Sequence, residues 1–408
     1  MNSMAFGVYI HIPYCLQICP YCDFTKYELG KILPPENYVS LLTQEIRRKA
    51  PVILAGSSQR ELSTVYFGGG TPSLLEPRLI LSVLEELANA GFKRIPGKTE
   101  VTIEIDPATV DQPKLEAYLA MGVTRLSVGA QTFNERLLKV AGRKHSAQDT
   151  ITLLTLLKNA RVNYSFDLLF ALPTQTLEEL RADVATALYF EPSHLSAYCL
   201  TVPEGHPMSK GRAPDSEQAE MFELVESSLA SQGIFRYEIS NFAKPGFESK
   251  HNLLYWTDQP YWGLGTGAHG YFPPGYSEEF DRAAPWGTRF WNGPSIQLYE
   301  KEIARLGEGW QLHRDITESQ LEILERHQAL TDFCHTSLRL VRGLEKNALR
   351  LKFGDSVALH VVEILRTLET SGLLQKTSAG WTMTNQGRLI ANYVFEKLTF
   401  LRHELPPE

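Results

Sequence analysis

Cysteine is scarce in this chain. There are five in 408 residues. So sparse and odd a set argues against a disulfide-stapled exported domain and points to a reducing, cytoplasmic setting. Long apolar runs are missing as well, so no bilayer-spanning helix is expected. The first residues lack a basic stretch ahead of an apolar core, and no leader peptide is expected from them. Basic charge is in deficit: 40 Lys and Arg stand against 47 Asp and Glu, a net charge of −7. That balance disfavours a surface built to grip nucleic acid. Low-complexity tracts and fixed-period repeats are absent from the sequence, which excludes a repeat array.

Most of the cysteine lies in one place. Cys15, Cys19 and Cys22 fall within Y-I-H-I-P-Y-C-L-Q-I-C-P-Y-C-D-F, residues 9–24, whereas Cys199 and Cys334 are distant. Three thiols this close cannot all pair with one another. Thiolates are ligands for soft metals and iron–sulfur clusters. Pro13 and Pro20 interrupt regular structure and fix the shape of the loop. Zinc is the rival reading. It takes four protein ligands and favours paired C-x-x-C knuckles, of which this stretch has one, so His11 would have to supply the fourth ligand from the preceding strand. Three thiols without any metal would be exposed to oxidation.

The chain then alternates strand and helix. Strands are predicted at 7–12, 64–67, 100–105, 125–128, 163–170 and 194–200. Helices are predicted at 35–48, 78–90, 113–121, 178–189 and 216–231. Such alternation means parallel strands joined by crossovers. About six units predict an α/β fold, either a complete or partial barrel or an open doubly wound sheet. Ligands of these folds bind where strands end, and unusual residues collect there. Gly68, Gly69, Gly70 and Thr71 follow the second strand, and Glu104 interrupts the third. Gln131 follows the fourth, Arg143 lies beyond it, and Asp167 interrupts the fifth. A carboxylate in an apolar strand needs a partner or a site, and the shared location predicts one polar pocket. The glycines either admit a ligand close to the backbone or simply make a tight turn.

Three regions are expected: a barrel over 1–243, an irregular connection over 244–310, and a mainly helical unit over 311–408. The last is read as helices at 317–331 (capped by Asp315 or Thr317), 344–353 and 355–370. A hairpin at 373–383 and a final helix at 385–398 complete it. That order is like a winged helix, but its recognition region is not strongly basic, so a lid or docking role is expected.

The spacing C-x-x-x-C-x-x-C resembles that of the radical S-adenosylmethionine (SAM) superfamily. The likeness implies a partial (β/α) barrel of about six parallel strands. It also implies a 4Fe–4S cluster on Cys15, Cys19 and Cys22, with one iron open to the amino and carboxylate groups of SAM. The series Y-x-H-I-P-x-C, G-G-G-T-P, E-I-D-P, G-x-Q, G-R-x-H-S and D-L-x-x-x-L-P is more specific. Over nearly the whole chain it resembles the oxygen-independent coproporphyrinogen oxidase family and the related heme chaperone HemW family. By that resemblance Tyr9, Gly69, Gly70, Thr71, Glu104, Gln131, Arg143 and Asp167 contact SAM. The chemistry agrees: acids suit the ribose hydroxyls and the amino group, and Arg143 suits the carboxylate.

Two features separate the branches. Oxidases resemble one another in a further cysteine two residues after the third, where this chain has Phe24. The run His251-Asn252-Leu253-Leu254-Tyr255-Trp256 resembles the H-N-x-x-Y-W run of the heme chaperones. It implies His251 as a heme-iron ligand, with Tyr255 and Trp256 shaping the site. His269, in G-T-G-A-H-G, is a second candidate. The expectation is a cytoplasmic chaperone that binds heme and delivers it to acceptor proteins, respiratory ones among them, as a monomer or dimer, with peripheral membrane association left open. The alternative is oxidative decarboxylation of coproporphyrinogen III. A tRNA-modifying radical enzyme is third, disfavoured by the acidic charge.

Overall fold

Strand β1 (Gly7–Ile12) is almost wholly buried and lies inside a twelve-stranded sheet. A parallel strand covered on both faces reads as a near-continuous apolar run, which is how residues 6–12 read. Beside it in order lie β2 (Thr64–Gly69), β3 (Glu100–Ile105), β4 (Arg125–Gln131), β5 (Tyr164–Phe170) and β6 (His194–Cys199), all parallel. Two short antiparallel strands, β7 (Phe235–Arg236) and β8 (Asn241–Ala243), finish that edge. On the other side of β1 runs a seventh parallel strand, β9 (Tyr261–Leu264), followed by antiparallel β10 (His269–Phe272), β11 (Thr288–Trp291) and β12 (Leu321–Ile323). The order β7-β8-β6-β5-β4-β3-β2-β1-β9-β10-β11-β12 does not close on itself, so the barrel is partial. This is a computed structural model and describes residues 4–55, 60–276, 284–307 and 320–406.

Helices α1 (Pro35–Ala55), α2 (Pro77–Asn89), α3 (Gln112–Ala120), α4 (Ala147–Ala160), α5 (Leu177–Tyr189) and α6 (Asp215–Ala230) provide the crossovers. Their starts are local chemistry. Pro77 occupies the first position of α2, where its missing N–H is harmless. Ser146 with Asp149, and Thr176 with Glu179, form reciprocal capping boxes at α4 and α5. One continuous apolar core lies between sheet and helices.

Among the described residues, 244–276 and 284–307 are not the irregular connection expected over 244–310. They hold helix α7 (Lys250–Trp256), strands β9 to β11 and helix α8 (Ile296–Arg305). The expected helix over 317–331 is also corrected. Leu321–Ile323 pairs with β11 as strand β12, and helix α9 spans Arg326–Arg339. Strand pairing with Thr288–Phe290, distant in sequence, overrides the local helical pattern there. The boundary at 311 and the caps Asp315 and Thr317 lie outside the described residues. Helix α10 (Lys346–Thr370) breaks at Gly354, φ 85°, as the two predicted helices required. Strands Leu344–Glu345, Gly380–Met383 and Leu374–Lys376 make a small three-stranded sheet. The last helix splits at Ile390. This helical unit has its own apolar core. Arg339–Glu238 (2.7 Å), Arg289–Asp332 (2.6 Å) and Lys352–Asp258 tie it to the barrel. Among the described residues no helix is long and apolar enough to cross a membrane.

Candidate cofactor site

The loops after β1 to β5 surround one cleft of about 700 Å³ at the C-terminal ends of the parallel strands. Cys15, Cys19, Cys22, Gly69, Gly70, Thr71, Glu104, Gln131, Arg143 and Asp167 all line it. Ten side chains or backbone positions from five separate loops and strands are thus brought to one place. Phe24, 64% exposed, stands at the same cleft.

The cysteine loop is seated by backbone chemistry. Gly70 N–H donates to the Ile12 carbonyl (2.8 Å) and Thr71 N–H to the Tyr14 carbonyl (2.7 Å). A Cβ at Gly70 would stand 2.6 Å from the Tyr14 oxygen, and one at Gly69, φ 109°, 2.4 Å from the His11 ring. The glycines are therefore required by the packing of strand β2 against this loop. His11 is 4% exposed. Its Nε2–H donates to the Thr25 carbonyl (2.7 Å), so its Nδ1 accepts from the Tyr9 hydroxyl (3.0 Å). Burial lowers its pKa to about 4. His11 clips the two ends of the loop together, and both nitrogens are spent, so it is not a fourth zinc ligand.

Among the described residues no three His, Cys, Asp or Glu side chains close around a single ion. A cubane cluster carries its irons at separate corners and spreads its thiolates wider than one ion can. The three thiols on one cleft fit a cluster in this respect and do not fit zinc. Burial raises the Cys15 thiol to about 11 and also raises Cys22. A metal centre binding there would displace those protons.

The facing wall is acidic. The Tyr66 hydroxyl donates to Glu104 Oε1 (2.8 Å) and the Gly69 N–H to Oε2 (3.1 Å). Burial nevertheless raises the Glu104 carboxyl to about 7, and burial raises Asp167 to about 6. Arg143 bonds Asp106 Oδ2 (2.7 Å) and approaches Cys19 Sγ (3.7 Å). His145 Nδ1 also meets Asp106 Oδ2 (3.3 Å). Burial would raise Asp106, but His145 and Arg143 outweigh it and hold the carboxyl below its usual range. Gln131 sits at φ 65°, just past a register irregularity in the β4–β5 pairing. A non-glycine residue in that region is uncommon and marks a place held by its surroundings. Asp106 and Tyr66 were not singled out from sequence. Asp106 stands in E-I-D-P at a strand end, which is a usable signal. Nothing local marks Tyr66.

Not every expected residue joins the cleft. Tyr9 is one layer below, its hydroxyl on His11. His251, Tyr255 and Trp256 lie on α7 at the opposite, N-terminal end of the barrel. His251 is 1% exposed, and its backbone N–H meets Glu100 at the start of β3 (3.3 Å). Its Nδ1 bonds Thr64 Oγ1 at the start of β2 (2.7 Å), and its Nε2 bonds the Tyr255 hydroxyl (2.8 Å). An iron ligand needs a free lone pair, and in this conformation His251 offers none, because both ring nitrogens are engaged. Trp256 has a buried Nε1 without a partner, and Arg339 of α9 lies 4.4 Å over its ring. His269 is exposed and stacks on Trp291, ring centroids 5.5 Å apart.

Comparison with known proteins shows the family and the fold. The model of the radical SAM superfamily matches residues 9–187, and that of the HemN C-terminal domain matches residues 324–390. The heme chaperone HemW of Bacillus subtilis is 36% identical over 95% of this chain and 98% of its own length. That of Escherichia coli is 37% identical over 96% of this chain and 97% of its own. Among solved structures, the coproporphyrinogen III oxidase HemN of Escherichia coli superposes with a TM-score of 0.78. It covers 98% of this chain and 91% of its own at 20% identity, which speaks to the fold alone.

Proposed function

The chain belongs to the heme chaperone HemW family, within the radical SAM superfamily, and we propose that it binds heme and hands it to acceptor proteins. Membership implies a 4Fe–4S cluster and SAM. The likeness to the curated heme chaperones supports the heme reading, and the observation that carries the cluster and SAM assignment is one cleft on which three unpaired thiols face Glu104, Asp167 and Arg143. Cys15, Cys19 and Cys22 are proposed to hold the cluster. Gly69, Gly70, Thr71, Glu104, Gln131, Arg143 and Asp167 are proposed to receive SAM. When bound, the cluster and SAM supply one-electron chemistry.

The residues of the chain divide the work by charge. The acids offer acceptors for ammonium and hydroxyl groups. Arg143, held in place by Asp106, offers a fixed cation for a carboxylate. Tyr9 supports the site through His11. Heme ligation by His251 would require a state in which α7 has left the barrel floor, because both ring nitrogens are otherwise engaged. His269 is the competing ligand, and acceptor proteins in the cytoplasm, respiratory ones among them, are the proposed partners.

The oxidase shares the fold, but Phe24 stands where oxidases carry their further cysteine. Anaerobic reconstitution with iron and sulfide, followed by heme titration, tests the proposal. Stoichiometric heme binding with a Soret band, and no decarboxylated product from coproporphyrinogen III with reductant and SAM, is the expected result. Product without heme retention would overturn it. Loss of the Soret signature in His251→Ala but not His269→Ala would assign the ligand, and the reverse would reassign it.

A further inference from the structure

The cleft and the H-N-x-x-Y-W helix lie at opposite ends of the barrel, yet one side chain reaches both. Tyr66, in the middle of β2, donates its hydroxyl upward to Glu104 Oε1 at 2.8 Å. Its ring stacks downward on His251, centroids 5.0 Å apart and planes within 25°. His251 is in turn fixed by Thr64 (2.7 Å) and Tyr255 (2.8 Å), so it reports the seating of the whole of α7. The upper end is fixed equally well, because the second oxygen of Glu104 accepts from Gly69 N–H (3.1 Å), in the glycine stretch that seats the cysteine loop. The path is therefore cleft backbone, Glu104, Tyr66, His251, α7, with each link a hydrogen bond or a ring contact between closely packed groups.

We propose that Tyr66 is a positioning residue that couples occupancy of the cofactor cleft to the seating of helix α7 at the barrel floor. The inference rests on the reading of the cleft as the SAM site. A ligand that fixes Glu104 fixes the tyrosine hydroxyl. The ring is then held against His251, and α7 opens less often. Linkage makes the effect reciprocal: unseating α7 weakens the ligand at Glu104. A heme ligand sheathed in the barrel floor would then be released or withheld according to what fills the other end.

Tyr66→Phe separates the two contacts. It keeps the ring on His251 and removes the hydroxyl from Glu104. Amide hydrogen exchange over residues 250–256 is measured in the reconstituted full chain with and without SAM. In the wild type, saturating SAM slows exchange there by at least about fivefold, the low end of measured couplings. In Tyr66→Phe, with iron content and circular dichroism unchanged, that slowing disappears, and exchange without ligand rises to the level seen in Glu104→Ala, because either change removes the same hydrogen bond. Equal slowing in both proteins, or none in the wild type when SAM is bound, would overturn the coupling. A ligand-free arm decides the matter even if SAM does not bind. Glu104→Ala speeds exchange over 250–256 in the wild-type background and has no effect in the Tyr66→Phe background. Equal effects in both backgrounds would refute the path. Failure of the cofactor reading shows separately, as absent SAM binding with the mutant cycle intact.

Discussion

The affinity for SAM should rise with pH across the neutral range, and Glu104 should be the reason. In the free protein burial raises this carboxyl to about 7, with Asp167 behind it at about 6. The sign follows from which form each state prefers. A cationic amino group or a hydroxyl donor at Glu104 favours the carboxylate, so binding expels its proton and lowers its pKa. Affinity is then weakened by the proton below pH 7 and freed of it above. With a pKa near 7 the carboxylate is about one-eleventh populated at pH 6 and about ten-elevenths at pH 8, which gives roughly a tenfold gain in affinity, or about 1.4 kcal/mol. Asp167 adds a smaller gain at the acid end. In the unliganded protein the same raised pKa values act oppositely. The stability they contribute is full below the unfolded carboxyl range and is lost as pH rises through about 6 to 7. Isothermal titration of the reconstituted protein at pH 6, 7 and 8, in buffers of different ionisation enthalpy, measures both the affinity and the released proton. Glu104→Gln should flatten the profile by about tenfold relative to wild type, with any titration of the ligand itself common to both. A wild-type affinity independent of pH, or an equal slope in Glu104→Gln, would refute the assignment of Glu104 to the ligand.

Replacing any one of Cys15, Cys19 and Cys22 with serine should abolish the visible absorbance and stoichiometric iron of the reconstituted cluster while leaving far-ultraviolet circular dichroism intact. Retention of iron at wild-type stoichiometry would remove that residue from the ligand set. Lys49 is fully buried between Glu45 (2.9 Å) and Glu302 (3.0 Å), bracing α1 against α8. Lys49→Met leaves the Glu45 charge buried without its cation, so denaturant unfolding should show a loss of about 3–5 kcal/mol; a change under 1 kcal/mol would mean that Glu45 takes up a proton instead. His251→Ala strips partners from the Thr64 and Tyr255 hydroxyls and opens a void beneath Tyr66. A destabilisation of about 2–5 kcal/mol is expected, and an unchanged melting midpoint would contradict the seating described for α7.

The cleft was legible because its residue types are rare in their settings. Thiols clustered in a loop, carboxylates inside apolar strands and glycines at a strand end all violate local expectation, and such violations mark sites. The break at Gly354 was legible for the same reason, since glycine ends helical patterns. Strand β9 was not, because Tyr261–Leu264 is short and runs straight into a glycine-rich turn. Only its pairing with β1 makes it a strand. The same holds for Leu321–Ile323, whose partner lies across a long stretch of chain. Tyr66 was invisible because an aromatic residue in a strand is the most ordinary thing there. Its consequence lies in what its two ends touch, and no sequence pattern encodes that.

The placement of His251 changes how the H-N-x-x-Y-W run is to be understood. In barrels of parallel strands the C-terminal face carries chemistry, whereas residues at the N-terminal face serve stability. His251 is on the N-terminal face, with Thr64, Glu100 and Tyr255 around it. An imidazole there, held at a pKa of about 3 by burial and by the Arg125 charge, is neutral at physiological pH. An imidazole must be unprotonated to ligate iron, but this one has both ring nitrogens engaged and lacks the free lone pair. Burial therefore supplies one condition for ligation and withholds the other. The proposed heme ligation therefore requires a movement of α7, and α7 is packed between the barrel floor and α9, where Arg339 covers Trp256 and bonds Glu238. Besides the hydrogen bonds to Thr64, Glu100 and Tyr255, ring contacts hold α7 in its seat, Tyr66 on His251 and Arg339 of the C-terminal unit on Trp256. Arg339→Ala should therefore speed heme association even where the equilibrium affinity changes little, because it removes a barrier to opening without touching the ligand. Stopped-flow mixing with heme measures this directly. An association rate equal to wild type in a folded Arg339→Ala protein would show that heme does not wait for α7, and would return the choice of ligand to His269.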